Sequence, residues 1–452
     1  MHILHQQNIL AMAFLFSTFL FFSLAIIDQN VMYLKITIAA TSFLSFYSAT
    51  KKSSFSALFA IFFSIFFVIP FLVLEDGFLS YGTFYDFTLS EGSVLSMLMY
   101  LYFFLFFFTL LILLTRGIPI YHGLSKDFCK FNKYYYLLLL ITGIYMVVFN
   151  IREALYVWDQ GYIALVQGAG DFKKHILEFF VEMVFLCSVI FGLRFKNRAA
   201  IMMLVLYCIS GMLGGQRMPG FMMLVVLFIF IRPKSFRGLS EIFYIVVVFF
   251  VAVPLLHIIA ALRMGGFELL SSIEIWHSYE DIFYVIGFSF DTLKVVFFYE
   301  GMFEVSVTPF AKLFQVSSVF MDRVFDIPIV FDKAGFAGEF ARKLDPFAYE
   351  SKGVTFASSG IAESYFFFGY FGAPVYALIV FICCRVFDWC LLRNSFISLA
   401  VLFLFAPKFF VGVRNELFGW MWEGGIIFIV LVSIYFFCRP FFRLTSVYNR
   451  ES

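Results

Sequence analysis

The chain has 452 residues, 62% of them hydrophobic and 14% charged, with a mean hydropathy of +0.94. That excludes a soluble globular protein and leaves an all-α, polytopic membrane protein. The formal charge of +2 says nothing about nucleic acid, and none is expected as a partner. Apolar runs in chain order predict about twelve transmembrane helices. The first four are Ile9–Ile27, Val31–Tyr47, Phe55–Leu74 and Val94–Leu114. Tyr134–Phe149, Ile176–Leu193 and the short pair Ala199–Leu213 and Met218–Ile231 follow. Ile242–Leu262, Ile361–Ile382, Phe396–Val411 and Gly425–Cys438 complete the set. The first run lacks the basic n-region of a secretory signal and is long for one, so it reads as an uncleaved span. The 71 phenylalanines read as lipid-facing and packing bulk.

The charges between these runs set the orientation. One alternate set of loops carries Lys51 and Lys52; Arg116, Lys126, Lys130 and Lys133; Arg194, Lys196 and Arg198; Arg232, Lys234 and Arg237; and Arg385 and Arg393. The other set is poor in bases, and Leu74–Val94 has acids only. The positive-inside rule places both termini in the cytoplasm of a bacterial inner membrane, with the acidic loops outside. All seven cysteines fall in spans or on the inner side, where they serve as packing residues without a metal-like pair. The chain then divides into residues 1–262 with nine spans, a large periplasmic loop at 263–360, and 361–452 with three spans and a cytoplasmic tail. Within the large loop, Asp281–Glu300 is apolar but carries Asp291 and Lys294, which favours a helix on the interface or over the bundle. A second outer loop, Asn150–His175, carries Arg152.

The short pair is the most informative stretch. A hydrocarbon core of roughly 30 Å needs about 20 helical residues. These two runs have fifteen and fourteen, so their turn, GMLGGQRMPGF, lies below the surface unless the bilayer thins or protein surrounds it. Arg217 stands in that turn, two residues before Pro219, a favoured opener of a helix. A guanidinium beside a helix N-terminus suits a phosphate-like anion. The topology adds Arg263 at the end of the ninth span and Lys408 and Arg414 at the end of the eleventh. Glu363 and Tyr365 open the tenth, with Gly369 and Gly372 deeper in it. Snorkelling accounts equally for Arg152, Lys408 and Arg414, and a first-turn acid that complements the helix dipole accounts for Glu363. Close helix packing accounts for the glycines, and His257 reads as a core residue. No phosphate-binding loop, metal-protease motif or dinucleotide fingerprint occurs, and no metal or cofactor is called for. An outward site sees no cytosolic nucleotide sugar. A substrate activated as a polyprenyl phosphate supplies both an anion for the arginines and a tail for a groove in the bundle.

GGQRMPGFMMLVV after a span, Arg263 ahead of a large outer loop, and AESYFFFGYFG opening the next span resemble the bacterial O-antigen polymerases, the Wzy-type oligosaccharide repeat-unit polymerases. The resemblance is one of topology over nearly the whole chain, with short degenerate motifs. It implies a GT-C-like bundle in which a growing glycan on undecaprenyl pyrophosphate moves onto a new lipid-linked repeat unit at the periplasmic face. Arg217, Arg263 and Glu363 would then be catalytic. Arg414, Tyr365, Lys408 and Arg152 would bind substrate. Membrane lipid and a chain-length regulator protein are the further partners the resemblance raises. Related ligases carry a His where this chain has Glu363-Ser364-Tyr365, which favours the polymerase. The alternatives are a flippase of the same lipid-linked unit, a capsule or exopolysaccharide polymerase, and the ligase.

Overall fold

The computed structural model describes residues 2–28, 30–73, 91–117, 130–160, 176–213, 217–231, 359–412, 419–438 and 444–445, with Pro254, Ile258, Leu293, Val296 and Phe297. These residues form helices α1 (His2–Ile27), α2 (Val31–Lys52), α3 (Ser54–Phe63) and α4 (Ile69–Val73), the last two joined by a π-helical turn, Ser64–Val68. Then come α5 (Glu91–Leu114), α6 (Lys133–Gln160), α7 (Ile176–Arg194), α8 (Arg198–Leu213) and α9 (Arg217–Ile231). The last four are α10 (Gly360–Phe368), α11 (Gly372–Arg393), α12 (Phe396–Gly412) and α13 (Gly419–Cys438). The single departure from an all-α architecture among them is a two-residue antiparallel pair, β1 (Lys130–Phe131) with β2 (Leu444–Thr445).

Six stretches are long and apolar enough to cross a membrane: Asn8–Ile27, Val31–Lys52, Ser54–Leu72, Gly92–Leu114, Lys133–Asp159 and Gly360–Arg393. Four shorter apolar helices accompany them, Arg198–Leu213 and Pro219–Ile231 among these. The described residues of every predicted span are helical, the third passing through the π-helical turn and the tenth divided between α10 and α11. Most of the ninth, apart from the helical Pro254 and Ile258, and most of the 263–360 segment fall outside the described residues. Helix starts follow local chemistry: the side chains of Asn30, Ser53 and Ser359 each accept a first-turn backbone N–H.

Two sequence expectations are corrected. The segment beginning at Asn150 is not a loop at first, because α6 runs on to Gln160 and holds Arg152, Glu153 and Asp159 on helix. The tenth span is also not one continuous helix from Ile361 to Ile382. It breaks at a 3-10 turn, Gly369–Phe371, between α10 and α11. A Cβ on Gly372 would fall on the Ser364 carbonyl oxygen, and one on Gly360 would lie 2.7 Å from the Tyr376 hydroxyl. Residue 364 is thus beside 372 and residue 360 beside 376, so α10 folds back along the first turns of α11. Gly369 and Gly372 sit at the tip of this hairpin, not deeper than Glu363.

Helix packing divides naturally around α12. On one side α5 packs on α2, α1 and α11, and α3 packs on α2 and α11. On the other, α6, α7, α8 and α9 pack in sequence, with α13 against α7. α12 touches α9, α7, α11 and α13 and so joins the two. The interior is dominated by aromatic rings, such as Phe59 against Phe63, Phe104, Phe108 and Phe409.

Basic residues gather at one end of the bundle. The Lys52 ammonium donates to the last carbonyls of α5, at Ile112 (3.0 Å) and Leu113 (2.8 Å), where the helix dipole is negative. The Arg385 guanidinium donates to the Arg116 carbonyl at 2.9 Å. The carboxylate of Asp388 accepts the Phe55 N–H in the first turn of α3, where the dipole is positive. Asn394 closes α11 in the left-handed conformation and donates to the Arg194 carbonyl at 3.1 Å. From Arg393 to Gly372, α11 rises about 32 Å, enough to cross a hydrocarbon core. The α10–α11 hairpin therefore stands at the end opposite the basic cluster.

Candidate active site

Of the predicted site residues, Arg152, Arg217, Glu363 and Tyr365, and Lys408 are carried by α6, α9, α10 and α12 respectively. Helix direction brings their described positions to the end away from the basic cluster. Arg217 is the first residue of α9. The backbone of Gly220, one turn on, lies against α8: a Cβ there would meet Met212 Cγ at 2.7 Å and the Cys208 carbonyl at 3.0 Å. That contact fixes the opening of α9 against the last turn of α8. The Arg217 side chain lies outside the described residues, as do Arg263 and Arg414 entirely.

The last turns of α8 are held by polar contacts in an apolar setting. Asn150 of α6, 3% exposed, donates to Ser210 Oγ at 3.1 Å and approaches the Tyr207 carbonyl at 3.4 Å. The Tyr207 hydroxyl donates to Glu182 of α7. Tyr145 donates to Glu178, one turn earlier on α7, at 3.3 Å. Arg152 lies half a turn beyond Asn150 on α6, on an exposed position.

Glu363 is 2% exposed. It sits in the first turn of α10, and its own N–H donates to the carbonyl of the N-cap, Ser359. One turn earlier, a Cβ on Gly360 would lie 2.7 Å from the Tyr376 hydroxyl of α11. Next to Glu363, Ser364 Oγ is 2.6 Å from the Tyr100 hydroxyl. Tyr365 is buried in an aromatic group, stacked on Phe297 at 4.0 Å and edge-on to Tyr100 at 4.9 Å and Tyr370 at 5.5 Å. Phe297 belongs to the segment expected to lie over the bundle, and Leu293, Val296 and Phe297 are helical and buried. Phe371 at the hairpin tip is 80% exposed.

Lys408 follows Pro407 on α12, about 18 Å from Phe396. It is half-buried on the helix that separates α9 from α11. The described half of the site is therefore three pieces on one end: the opening of α9 against the last turn of α8, the outer turns of α12, and the α10–α11 hairpin. Tyr100, Tyr376, Ser364 and Gly360 were not singled out from the sequence. Nothing in a linear chain pairs position 100 with 364, and only the glycines at 369 and 372 hinted at a close approach. Among the described residues no group of His, Cys, Asp and Glu is arranged to hold a metal ion.

Comparison with known proteins adds one match. A family model described as O-antigen polysaccharide polymerase Wzy aligns with residues 9–444. No curated protein and no solved structure matches the chain significantly.

Proposed function

Because this membrane chain belongs to the O-antigen polysaccharide polymerase family over nearly its whole length, we propose that it elongates O-antigen from undecaprenyl-pyrophosphate-linked repeat units at the periplasmic face. The donor is the growing chain and the acceptor a single lipid-linked unit. A hydroxyl of the acceptor's terminal sugar attacks the donor's anomeric carbon. A new C–O bond forms, the bond to the pyrophosphate oxygen breaks, and undecaprenyl pyrophosphate leaves with the electron pair. The acceptor's proton passes to Glu363.

The observation that carries this reading is the convergence of the opening of α9, Lys408 and the α10–α11 hairpin on one end of the bundle. Negative charge develops on the departing pyrophosphate, and fixed cations and helix N-termini stabilise it best where water is scarce. Arg217 at the start of α9 and Arg263 hold that group. Arg414 completes the clamp, Lys408 and Arg152 contribute positive potential around it, and Tyr365 supports the wall beside Glu363. Unlike a nucleotide-sugar enzyme, this scheme needs no metal to carry the diphosphate, since the protein supplies the cations.

The test is elongation of lipid-linked repeat units by the purified chain in liposomes. Wild type gives a ladder of products. Arg217→Ala gives one-unit product only, at a normal protein level, and Arg217→Lys also fails because a point charge cannot reproduce a bidentate grip. A normal ladder from Arg217→Ala would remove Arg217 from the mechanism.

A further inference from the structure

The stretch Gly360–Arg393 is long and apolar enough to cross a membrane, and one line along its surface marks both interfaces. Phe371, Val375, Leu378, Ile382, Val386 and Trp389 are all exposed. They recur about one helical turn apart, so they form a single stripe running from the N-cap of α11. The opposite face, with Tyr376, Val380, Cys384 and Phe387, is buried, and the helix packs on α5 and α3. The stripe is aliphatic through its middle and aromatic at both ends. From Phe371 to Trp389 it rises about 27 Å, nearly the roughly 30 Å of a hydrocarbon core. Aromatic rings that bound a lipid-facing stretch sit at the two membrane–water interfaces. At the basic end the Arg393 guanidinium lies over the Trp389 ring at 4.2 Å, a position from which its charge reaches headgroups.

At the far end Phe371 has company. Phe368 and Tyr370 are exposed beside it, so aromatic rings crown the α10–α11 hairpin. Tyr370 is also tied inward: its ring meets Tyr365 edge-on at 5.5 Å and Tyr100 at 6.5 Å. The close approaches at Gly372 and Gly360 set residue 364 beside 372 and residue 360 beside 376. Glu363 is therefore level with the first turn of α11, within about 6 Å of rise from its start. Whatever fixes the depth of Phe371 fixes the depth of Glu363. The exposed run beneath Phe371 holds no polar side chain, whereas a glycan subsite needs convergent donors and acceptors. A bilayer is the occupant that matches both the length and the chemistry of this surface.

We propose that the α10–α11 tip is seated in the lipid headgroup layer, anchored by Phe368, Tyr370 and Phe371, and that this anchor holds Glu363 about one helical turn beneath the interface. The anchor goes beyond the assigned reaction. Only its consequence for rate rests on the reading of Glu363 as the group that takes the acceptor's proton.

The experiment places photoreactive p-benzoylphenylalanine at position 371 or 378 of the full chain, in liposomes of phosphatidylethanolamine and phosphatidylglycerol with the lipid-linked repeat unit present. Adducts are mapped by mass spectrometry. Position 371 gives phospholipid adducts near the glycerol, and position 378 gives adducts further down the acyl chain. Adducts at 371 to the glycan, to a second copy of the chain or to nothing overturn the anchor. Initial rates then test the depth it sets. Phe371→Trp supplies a ring that the interface favours and keeps the wild-type rate. Phe371→Glu draws the tip toward water and lowers the rate about tenfold. An unaltered rate in Phe371→Glu, with phospholipid adducts at 371, overturns the depth-setting role. A wild-type ladder from Glu363→Gln removes Glu363 from the mechanism, and the adducts, which need no turnover, still decide the anchor.

Discussion

Gly372 and Gly369 lie three residues apart at the tip of the α10–α11 hairpin, and alanine should fail at them for different reasons. Gly372 has an ordinary helical backbone, with φ −58°. Its constraint is space: an added Cβ falls on the Ser364 carbonyl and 2.6 Å from the Tyr100 hydroxyl, and backbone cannot step aside as a flexible side chain does. Gly369 has open space around it but φ +55° and ψ −141°, a region that L side chains scarcely enter. Gly372→Ala should therefore separate α10 from α11 and abolish elongation. Gly369→Ala should keep the packing and cost about 1–3 kcal/mol of local strain, read as a lower melting temperature with partial activity. Thermal melts and product ladders of both purified variants check this. Equal loss in the two would mean that the tip does not obey the distinction between crowding and strain.

At the scale of elements, hydropathy located the helices but not the break within one of them. The run from Ile361 to Ile382 is uniformly apolar, so its periodicity carries no mark of a fold-back. Only glycines and the turn chemistry between them signal it, and glycines in spans more often mean plain packing. The short pair α8 and α9 was legible because length alone exposes it. The continuation of α6 past Asn150 was not, because Arg152, Glu153 and Asp159 look like loop residues. What fixes the height of α8 in the bundle was equally hidden. Lipid tails are as apolar as leucine, so an apolar helix gains little from one register over the next. Polar contacts decide, and for α8 these are Asn150 on Ser210 and Glu182 on Tyr207. Asn150→Leu should let the end of α8, and with it the opening of α9, shift and should lower elongation roughly tenfold through displacement of Arg217. Asn150→Gln should recover part of that loss, because its amide can still reach across. Initial rates at saturating repeat unit distinguish the two, and unaltered rates in Asn150→Leu would detach this network from the site.

For the molecule as a whole, the charges at its two ends argue for one orientation. Lys52, Arg385 and Asp388 tie α2, α3, α5 and α11 together at the end where the predicted inner-loop bases gather. Lys52 and Asp388 each meet a helix terminus of opposite sign and Arg385 a backbone carbonyl just beyond α5, so the cluster is built into the fold and does not depend on headgroups alone. The opposite end holds the opening of α9 and the buried Glu363. Bases near short loops are retained on the cytoplasmic side during insertion, whereas acids contribute little. The orientation we propose therefore rests on Lys51, Lys52, Arg194, Lys196 and Arg198, which lie near the basic end. A phosphatase that is active only in the periplasm, fused after Leu213, should be active, and the same enzyme fused after Lys196 should be inactive. The reverse pattern would place Arg217 in the cytosol. A donor already flipped to the outer leaflet could not then reach it, and the cation clamp would need a substrate of a different kind.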